Sequence, residues 1–416
     1  MRKGFKAVYR EFPRLFWYVV LARFVDGLGG TLLFPFFALY ITQRFGVGMT
    51  QAGVLIGLSS FFGLAGSTAG GALADRFGRR RLILFGLVFS ALSSLSFGLA
   101  TDIRMLYGLI VAVGLLSSVA HPAHEAMLAD ILPSEKRQEG FAILRTVFNA
   151  AWIFGTALGG LIAARSFFAL FVIDSALSCL VAAFLFRVLP ETRPRAEEDH
   201  ASSDSLLKTF VGYRLVLRDL GFVAFVAAGM LALIVYQQQY STLGVYLRDY
   251  HQIDTRGYGA ILSVTGLQVV LLQFWISRQV RGLPPFTMLA LGAVLFGAGF
   301  LMYGLVNGFW MFMLAAVVVC MGEMLYFPIS QAVAAGFAPG NMRGRYMAVA
   351  HLSWTIPATV GPAAAGFLLD HFRPSLLWYV GSLLCVLAAA SYALLHLRLG
   401  SKPQFTAMGS GQTAPP

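Results

Sequence analysis

Twelve apolar runs, each long enough to cross a bilayer, set the strongest limit on how this chain can fold. They lie near residues 15–41, 50–73, 82–100, 105–130, 138–163, 166–188, 220–247, 257–278, 286–306, 308–336, 345–369 and 374–397, and are numbered spans 1 to 12 in that order. A membrane helix needs about 20 apolar residues, because each residue adds only about 1.5 Å along the axis. Apolar residues make up 58% of the 416 positions and charged residues only 12%, which excludes a water-soluble globule. The sequence predicts an all-α membrane protein with twelve transmembrane helices.

The formal net charge of +12 would suggest a nucleic-acid partner in a soluble protein, but the placement of the positive residues gives another reason for it. Of the 31 lysines and arginines, 23 fall in segments on the same side as the N-terminus, and 6 fall in the loops on the other side. Cytoplasmic loops of membrane proteins carry such an excess of positive charge. We therefore predict a multi-pass protein of the cell (plasma) membrane, the inner membrane of a bacterium, with both termini cytoplasmic and with no nucleic-acid partner.

The sequence contains an internal repeat. A shift of 206 residues aligns nine glycine, proline, arginine and tyrosine positions without a gap, among them Gly53 with Gly259 and Gly160 with Gly366. These residue types have position-specific backbone or charge roles. The repeat predicts two parallel six-helix halves, an architecture that places a substrate site between them. The expected divisions are an N-terminal bundle at 1–189, a cytoplasmic linker at 190–219, a C-terminal bundle at 220–397 and a cytoplasmic tail at 398–416.

The loop between spans 2 and 3 reads GALADRFGRRR over residues 71–81. It closely resembles the signature loop of the major facilitator superfamily, and the resemblance implies the twelve-helix fold of that family. An aspartate that pairs with arginines in a tight loop can hold one gate conformation. The resemblance thus predicts an inner gate formed by Gly71, Asp75, Arg76, Gly78, Arg79 and Arg80. The alternative is a basic anchor for lipid headgroups.

Spans 5 and 11 carry a second motif of small residues. The sequence GTALGG at 155–160 resembles the antiporter signature of the drug efflux branch, except that Thr156 stands where that pattern has proline. The matching segment of span 11 keeps the proline but only part of the glycine set. The residues of this antiporter-type motif are Gly155, Gly159, Gly160, Gly361 and Pro362. The alternative is ordinary close packing of helices through small residues.

Carboxylates inside the spans are candidates for proton coupling, because a charged side chain at the bilayer centre costs about 2.5–3.5 kcal/mol. Asp26 of span 1, Glu323 of span 10 and Glu125 of span 4 are the candidates. Asp26 has an alternative partner in Arg23, one helical turn away. For Glu125 we favour a buried pair with Arg145 of span 5 over a role as a proton carrier. Asp174 of span 6 is interpreted as a structural acid.

In facilitator-type proteins spans 1, 4, 7 and 10 line the cavity, so the resemblance points to polar and aromatic residues on or near these spans as substrate ligands. The candidates are Tyr40, Arg145, Asn149, Tyr236, Gln237, Gln238, His351 and Trp354. Aromatic rings beside polar groups suit hydrophobic or cationic compounds. The alternative for the aromatic residues is packing or exposure to lipid. The spacing of His121, His124 and Glu125 is too weak a pattern to predict a metal site.

These observations predict a monomeric secondary transporter that exports small hydrophobic or cationic compounds in exchange for protons by alternating access. The predicted direction of transport and the predicted substrate class rest on the resemblance to the twelve-span drug/proton antiporters. No nucleotide-binding motif and no catalytic constellation is apparent, so we expect neither an enzyme nor a cofactor. The alternatives are a proton-linked uptake carrier and an exporter of a sugar, an amino acid or a lipid.

Overall fold

A computed structural model describes residues 9, 11–191, 213–339, 342–402 and 405 of the chain, without the side chains of residues 71, 72 and 75. Twelve helices are long and apolar enough to cross a membrane, which confirms the predicted fold class. Their bounds are Arg14–Phe45, Met49–Gly70, Arg79–Leu99, Ile103–Ile131, Ser134–Ala163, Phe167–Val188, Leu220–Ser241, Thr255–Gln279, Pro285–Leu305, Phe309–Phe337, Arg343–His371 and Leu376–Leu399, for spans 1 to 12. The helix of span 2 continues beyond the apolar stretch to Phe77.

Among the residues that the structure describes, three spans are interrupted helices. Span 1 consists of the helices Arg14–Leu33 and Phe37–Phe45, joined by a 3₁₀ turn that contains Pro35. Span 4 breaks between Ser117 and Ala120. Span 7 is divided into Leu220–Tyr236, Gln238–Ser241 and Leu243–His251. Interrupted membrane helices expose backbone groups that regular helices would satisfy internally, and transporters use such groups to line their binding cavities.

The described residues group into two compact units. Unit 1 falls within Met1–Val47, Leu58–Glu197 and Asp254–Gly266, and unit 2 within Gly48–Gly57, Glu198–Ile253 and Leu267–Pro416. In unit 1, span 1 packs against spans 5 and 6, and span 3 packs against span 6. In unit 2, span 7 packs against spans 11 and 12, and span 9 packs against span 12. Because spans 7, 9, 11 and 12 are the repeat partners of spans 1, 3, 5 and 6, the same packing occurs twice, as the repeat predicted.

The two cores differ in composition. In unit 1, aliphatic side chains from spans 1, 3, 4 and 6, such as Val19, Ile83 and Val181, form one buried cluster. In unit 2, the indole of Trp378 is fully buried and lies 5.1 Å from the ring of Tyr303 and 5.3 Å from the ring of Tyr246. Aromatic pairs at such distances contribute about 0.5–1.5 kcal/mol beyond the area they bury. Buried aromatic rings therefore contribute to the packing of the second bundle.

Candidate transport and gating sites

The segment 71–81, which the sequence predicted as a loop, is helical on both sides of Gly78, because the helix of span 2 extends to Phe77. The chain turns at Gly78, whose φ of +92° is accessible to glycine and strained for other residues. The helix of span 3 begins at Arg79, and its first amides are capped by Glu191, which lies 112 residues away. Glu191 Oε1 accepts hydrogen bonds from the backbone N–H of Arg79 at 2.9 Å and of Arg80 at 3.5 Å. The carboxylate that follows span 6 thus fixes the start of span 3.

Arg79 and Arg80 connect this loop to spans 4 and 6. The Arg79 guanidinium forms an ion pair with Asp130 and donates to the carbonyl of Ala126 at 3.0 Å. Arg80 donates to the carbonyl of Phe186 at 2.6 Å, with its guanidinium 5.3 Å from the Phe186 ring. These contacts fasten the loop inside unit 1. The expected pairing of Asp75 with the arginines, and the role of Gly71, lie outside the described side chains.

Asp26 lies in a small polar cluster of unit 1. Its carboxylate is 4.0 Å from the Arg23 guanidinium, one turn earlier on the same helix, and its side chain is 29% exposed. His121, at the start of the second helix of span 4, is close enough to interact electrostatically with both residues and with Glu125. The pair with Arg23 is therefore present, but it belongs to a larger group of titratable side chains. The sequence analysis assigns no role to His121, because its spacing with His124 and Glu125 is too weak a pattern for a metal site.

Glu125 and Arg145 do not form the buried pair that we favoured from the sequence. Both residues are exposed, and no ion pair joins them in the part of the chain that the structure describes. Similar depth in neighbouring spans was not sufficient, because the two side chains also have to face each other. Asn149, one turn after Arg145 in span 5, is half-buried.

The missing pair leads to a thermodynamic prediction. We expect Glu125→Gln and Arg145→Gln to change thermal stability independently, with a coupling free energy below about 0.5 kcal/mol, because residues that share no contact have additive effects. Thermal melts of the wild type, the two single variants and the double variant measure this coupling. A coupling above about 1 kcal/mol, with the double variant more stable than either single variant, would show that the pair forms after all.

Asp174 is buried between spans 1, 3 and 6, with 6% of its surface exposed. Its Oδ1 lies against Gly29 so closely that a β-carbon there would clash with it. The Ser94 side chain of span 3 lies beside it, and the Ser94 hydroxyl donates to the carbonyl of Phe171 at 3.2 Å. Gly29 on the facing helix of span 1 thus leaves space for the Asp174 carboxylate. This packing is compatible with the structural role that we predicted.

Glu323 lies in a cluster of aromatic rings in unit 2, which we call the ring cluster: Tyr236, Tyr240, Phe327 and Trp354. The hydroxyl groups of Tyr236 and Tyr240 are 2.8 Å apart, and Glu323 is within hydrogen-bonding range of the Tyr236 hydroxyl. The rings of Tyr236 and Phe327 are 5.2 Å apart, and those of Phe327 and Trp354 are 5.7 Å apart. Trp354 is 37% exposed. An acid and several ring faces are therefore brought together by spans 7, 10 and 11.

The two glutamines that we predicted as substrate ligands are both buried at the break in span 7. Gln238 donates its amide to the carbonyl of Ile234 at 2.6 Å. Its amide oxygen accepts from the hydroxyls of Ser241 at 3.0 Å and Thr242 at 2.8 Å. The Gln238 side chain is thus engaged in hydrogen bonds that stabilise the break in span 7. Its position in the sequence did not predict this structural role.

The glycines of the antiporter-type motif lie where helices approach closely. In span 5, β-carbons at Gly155 and Gly159 would clash with Thr31 and Leu32 of span 1, and one at Gly160 would come within 2.5 Å of the carbonyl of Thr255 in span 8. In span 11, Gly361 faces the amide of Gln238. The packing alternative accounts for these contacts without any reference to substrate.

Two candidate ligands lie apart from the ring cluster. Tyr40 is buried at the end of span 1, where its hydroxyl donates to the carbonyl of Phe97 at 2.6 Å and its ring packs 4.7 Å from Phe171. His351 is exposed on span 11. Across the described residues, no group of three or more His, Cys, Asp or Glu side chains is arranged to hold a metal ion.

Solved structures and curated sequences resemble the chain along most of its length. The nucleoside transporter NupG superposes with a TM-score of 0.78 at 13% identity, covering 92% of this chain and 100% of that one. A POT family transporter in complex with 5-aminolevulinic acid gives 0.75 at 15% identity, covering 93% and 96%. At these identities the likeness concerns the fold alone.

Among curated proteins, a Na(+), Li(+), K(+)/H(+) antiporter of Planococcus maritimus is 30% identical over 358 residues, 80% of this chain and 84% of its own. The multidrug resistance protein MdtH of Shigella dysenteriae is 25% identical, covering 84% and 86%. The family model of the Major Facilitator Superfamily matches residues 19–278 and 230–413. With twelve apolar helices and this match, the chain is a multi-pass membrane transporter, not an enzyme, and belongs to the major facilitator superfamily.

Proposed function

We propose that this protein exports small hydrophobic or cationic compounds in exchange for protons, by alternating access. In this proposal it works as a monomer in the cell inner membrane, with both termini and the loop 71–81 on the cytoplasmic side. The halves 1–189 and 220–397 are the two parts that move. The observation that carries the substrate class is the ring cluster beside Glu323.

The chemistry of the ring cluster favours an organic cation. Aromatic faces attract a positive charge that has been stripped of water, and the interaction reaches about 2 kcal/mol or more when desolvated. The Glu323 carboxylate beside Tyr236 supplies the compensating negative charge when it is ionised. When it is protonated, the cluster is neutral and its affinity for a cation falls. Competition between a proton and an organic cation for one carboxylate gives exchange transport.

The small polar cluster around Asp26 in unit 1 supports the proposal that transport is coupled to protons. Asp26 has both a cationic neighbour, Arg23, and a titratable one, His121. A carboxylate in such a group can change its protonation when a neighbour moves or when water enters, and carboxylates and histidines at membrane depth are typical components of proton relays. Asp26 and Glu323 are therefore the principal proposed proton sites, and Glu125 remains a third.

The names of the relatives offer a second substrate class. One relative is named as an antiporter of Na⁺, Li⁺ and K⁺ against protons, and another as a multidrug resistance protein. Both names are compatible with the exchange of a cation for protons. Alkali cations prefer shells of oxygen ligands, such as rings of carbonyl oxygens. Aromatic rings predominate around Glu323. The ring cluster therefore favours the organic cation over the alkali ion.

The proposal can be tested in proteoliposomes with an acidic lumen that report their internal pH by a trapped dye. We expect tetraphenylphosphonium or ethidium, added outside, to release protons from the lumen, because each cation that enters exchanges for protons. Glu323→Gln is the matched control, since the amide keeps the shape but cannot ionise. Proton release by Na⁺, Li⁺ or K⁺ but not by the organic cations would replace the proposed substrate class, and no release by any of these cations would refute cation/proton exchange.

A further inference from the structure

The start of span 2 is capped by a side chain from the end of span 11. Asp370 Oδ1 accepts a hydrogen bond from the backbone N–H of Met49 at 2.9 Å. Its Oδ2 accepts from the backbone N–H of Thr50 at 2.7 Å and from the Thr50 hydroxyl at 2.6 Å. The first N–H groups of a helix have no partner inside it, and an acidic side chain there also complements the helix dipole. One carboxylate thus satisfies two of these donors.

The repeat partner of span 2 is capped in a different way. Span 8 begins after Asp254, which is its own cap: Oδ1 accepts from the backbone N–H of Arg256 at 3.1 Å and of Gly257 at 3.0 Å. The 206-residue offset aligns Asp254 with Gly48, which has no side chain to offer. A β-carbon at Gly48 would come within 2.5 Å of Asp370 Oδ2. Span 2 therefore depends on span 11 for the cap that span 8 carries itself.

Spans 2 and 11 approach backbone to backbone next to this cap. A β-carbon on Gly53 would clash with the carbonyl of Pro362, and one on Gly366 would clash with the carbonyl of Met49. Asp370 lies one helical turn beyond Gly366. Because its side chain is short, it can reach the start of span 2 only while the two helices keep this close approach.

We propose that Asp370 is a latch that holds the start of span 2 against the end of span 11 and is released when the two helices separate there. This inference rests on the proposed alternating access, in which the halves part at the end opposite the loop 71–81. In the proposed orientation that end is external. On opening, span 2 loses its cap and span 8 keeps Asp254, so the latch favours the externally closed state.

Distances between external loops test the latch. Spin labels at Thr101→Cys and Asn307→Cys report the opening of this end in liposomes by pulsed electron paramagnetic resonance. The background replaces the native cysteines by alanine at Cys179, Cys320 and Cys385. We expect Asp370→Ala to raise the ratio of long to short distances about fivefold, the usual effect of replacing an N-cap residue by alanine, because both acceptor oxygens are removed. Asp254→Ala is the matched control and should leave the ratio unchanged, because that cap stays within one segment.

A rescue variant separates a latch from a purely stabilising contact. In Gly48→Asp/Asp370→Ala, span 2 carries its own cap, as span 8 does. We expect the melting temperature to return to the wild-type value while the long distances stay enriched, because the new cap no longer depends on span 11. The latch is refuted if Asp370→Ala leaves the distances unchanged, or if Asp254→Ala shifts them equally, or if the rescue variant restores the short distances. The distances require no substrate, so a negative result here leaves cation/proton exchange standing, and failed exchange leaves the latch measurable.

Discussion

Proteoliposomes that contain Asp26→Asn or Glu323→Gln are expected to lose uphill transport while still binding substrate. Each proton that moves down a pH difference of about two units supplies about 2.7 kcal/mol, which can sustain a concentration ratio of about 100 for a monovalent cation exchanged one for one. This exchange moves no net charge, so the membrane potential does not contribute to it. An amide at either position cannot take up or release a proton, so this driving force is lost. We expect the accumulation ratio to fall from this range to about 1.

Binding and counterflow distinguish loss of coupling from loss of folding. Both variants should still be stabilised against thermal unfolding by the substrate, because a bound ligand stabilises the folded state whether or not transport is coupled to protons. Glu323→Gln should need a higher substrate concentration, because its neutral amide binds a cation more weakly than the carboxylate does. Exchange of labelled for unlabelled substrate should also continue. Ser94→Ala, which removes a hydroxyl beside the buried Asp174, is a control within a membrane span and should transport normally. Undiminished uphill transport by both acid variants would refute the assignment of these residues.

Arg79→Gln is expected to lower the free energy of unfolding by about 2–4 kcal/mol. The Arg79 guanidinium is only 13% exposed and pairs with Asp130, which is 26% exposed, while it also bonds to the carbonyl of Ala126. Removal of one partner from a buried pair usually costs about 3–5 kcal/mol, and the partial exposure of Asp130 reduces that cost. Thermal melts in detergent measure the effect as a fall in melting temperature.

Two further variants complete this test. Asp130→Asn should destabilise the protein as well, and the double variant should be no less stable than Arg79→Gln alone, because both single changes break the same interaction. Arg81→Gln removes a neighbouring charge from an exposed arginine and should leave the melting temperature unchanged. Equal losses for Arg79→Gln and Arg81→Gln would mean that the effect comes from loop charge in general and not from this pair.

The features that depend on local patterning could be predicted from the sequence. The twelve spans follow from the lengths of the apolar runs, and the twofold packing of the bundles follows from the 206-residue offset. Gly155 and Gly159 were found because close helix approach requires residues without side chains. In these cases the physical requirement can be read from the residue types and their spacing.

The helix caps and ion pairs that depend on side-chain orientation could not be predicted from the sequence. Glu191 and Asp370 cap helices whose first residues lie 112 and 321 positions away, and no short-range pattern connects such pairs. Arg79 pairs with Asp130, although the signature loop directs attention to Asp75. The predicted ion pair between Glu125 and Arg145 was wrong for the same reason, because similar depth in two neighbouring spans does not fix the rotation of either helix about its axis.

The break in span 7 has a consequence for binding entropy. Gln238 ties together Ile234, Ser241 and Thr242, so the interrupted geometry is held by the protein's own side chains before any ligand arrives. Ordering a backbone residue costs about 1–2 kcal/mol, and a site that forms only on binding loses that amount from its affinity. Here the short helix Gln238–Ser241, which contains Tyr240 of the ring cluster, is already ordered. A ligand at these rings therefore keeps the affinity that it would otherwise lose in arranging them.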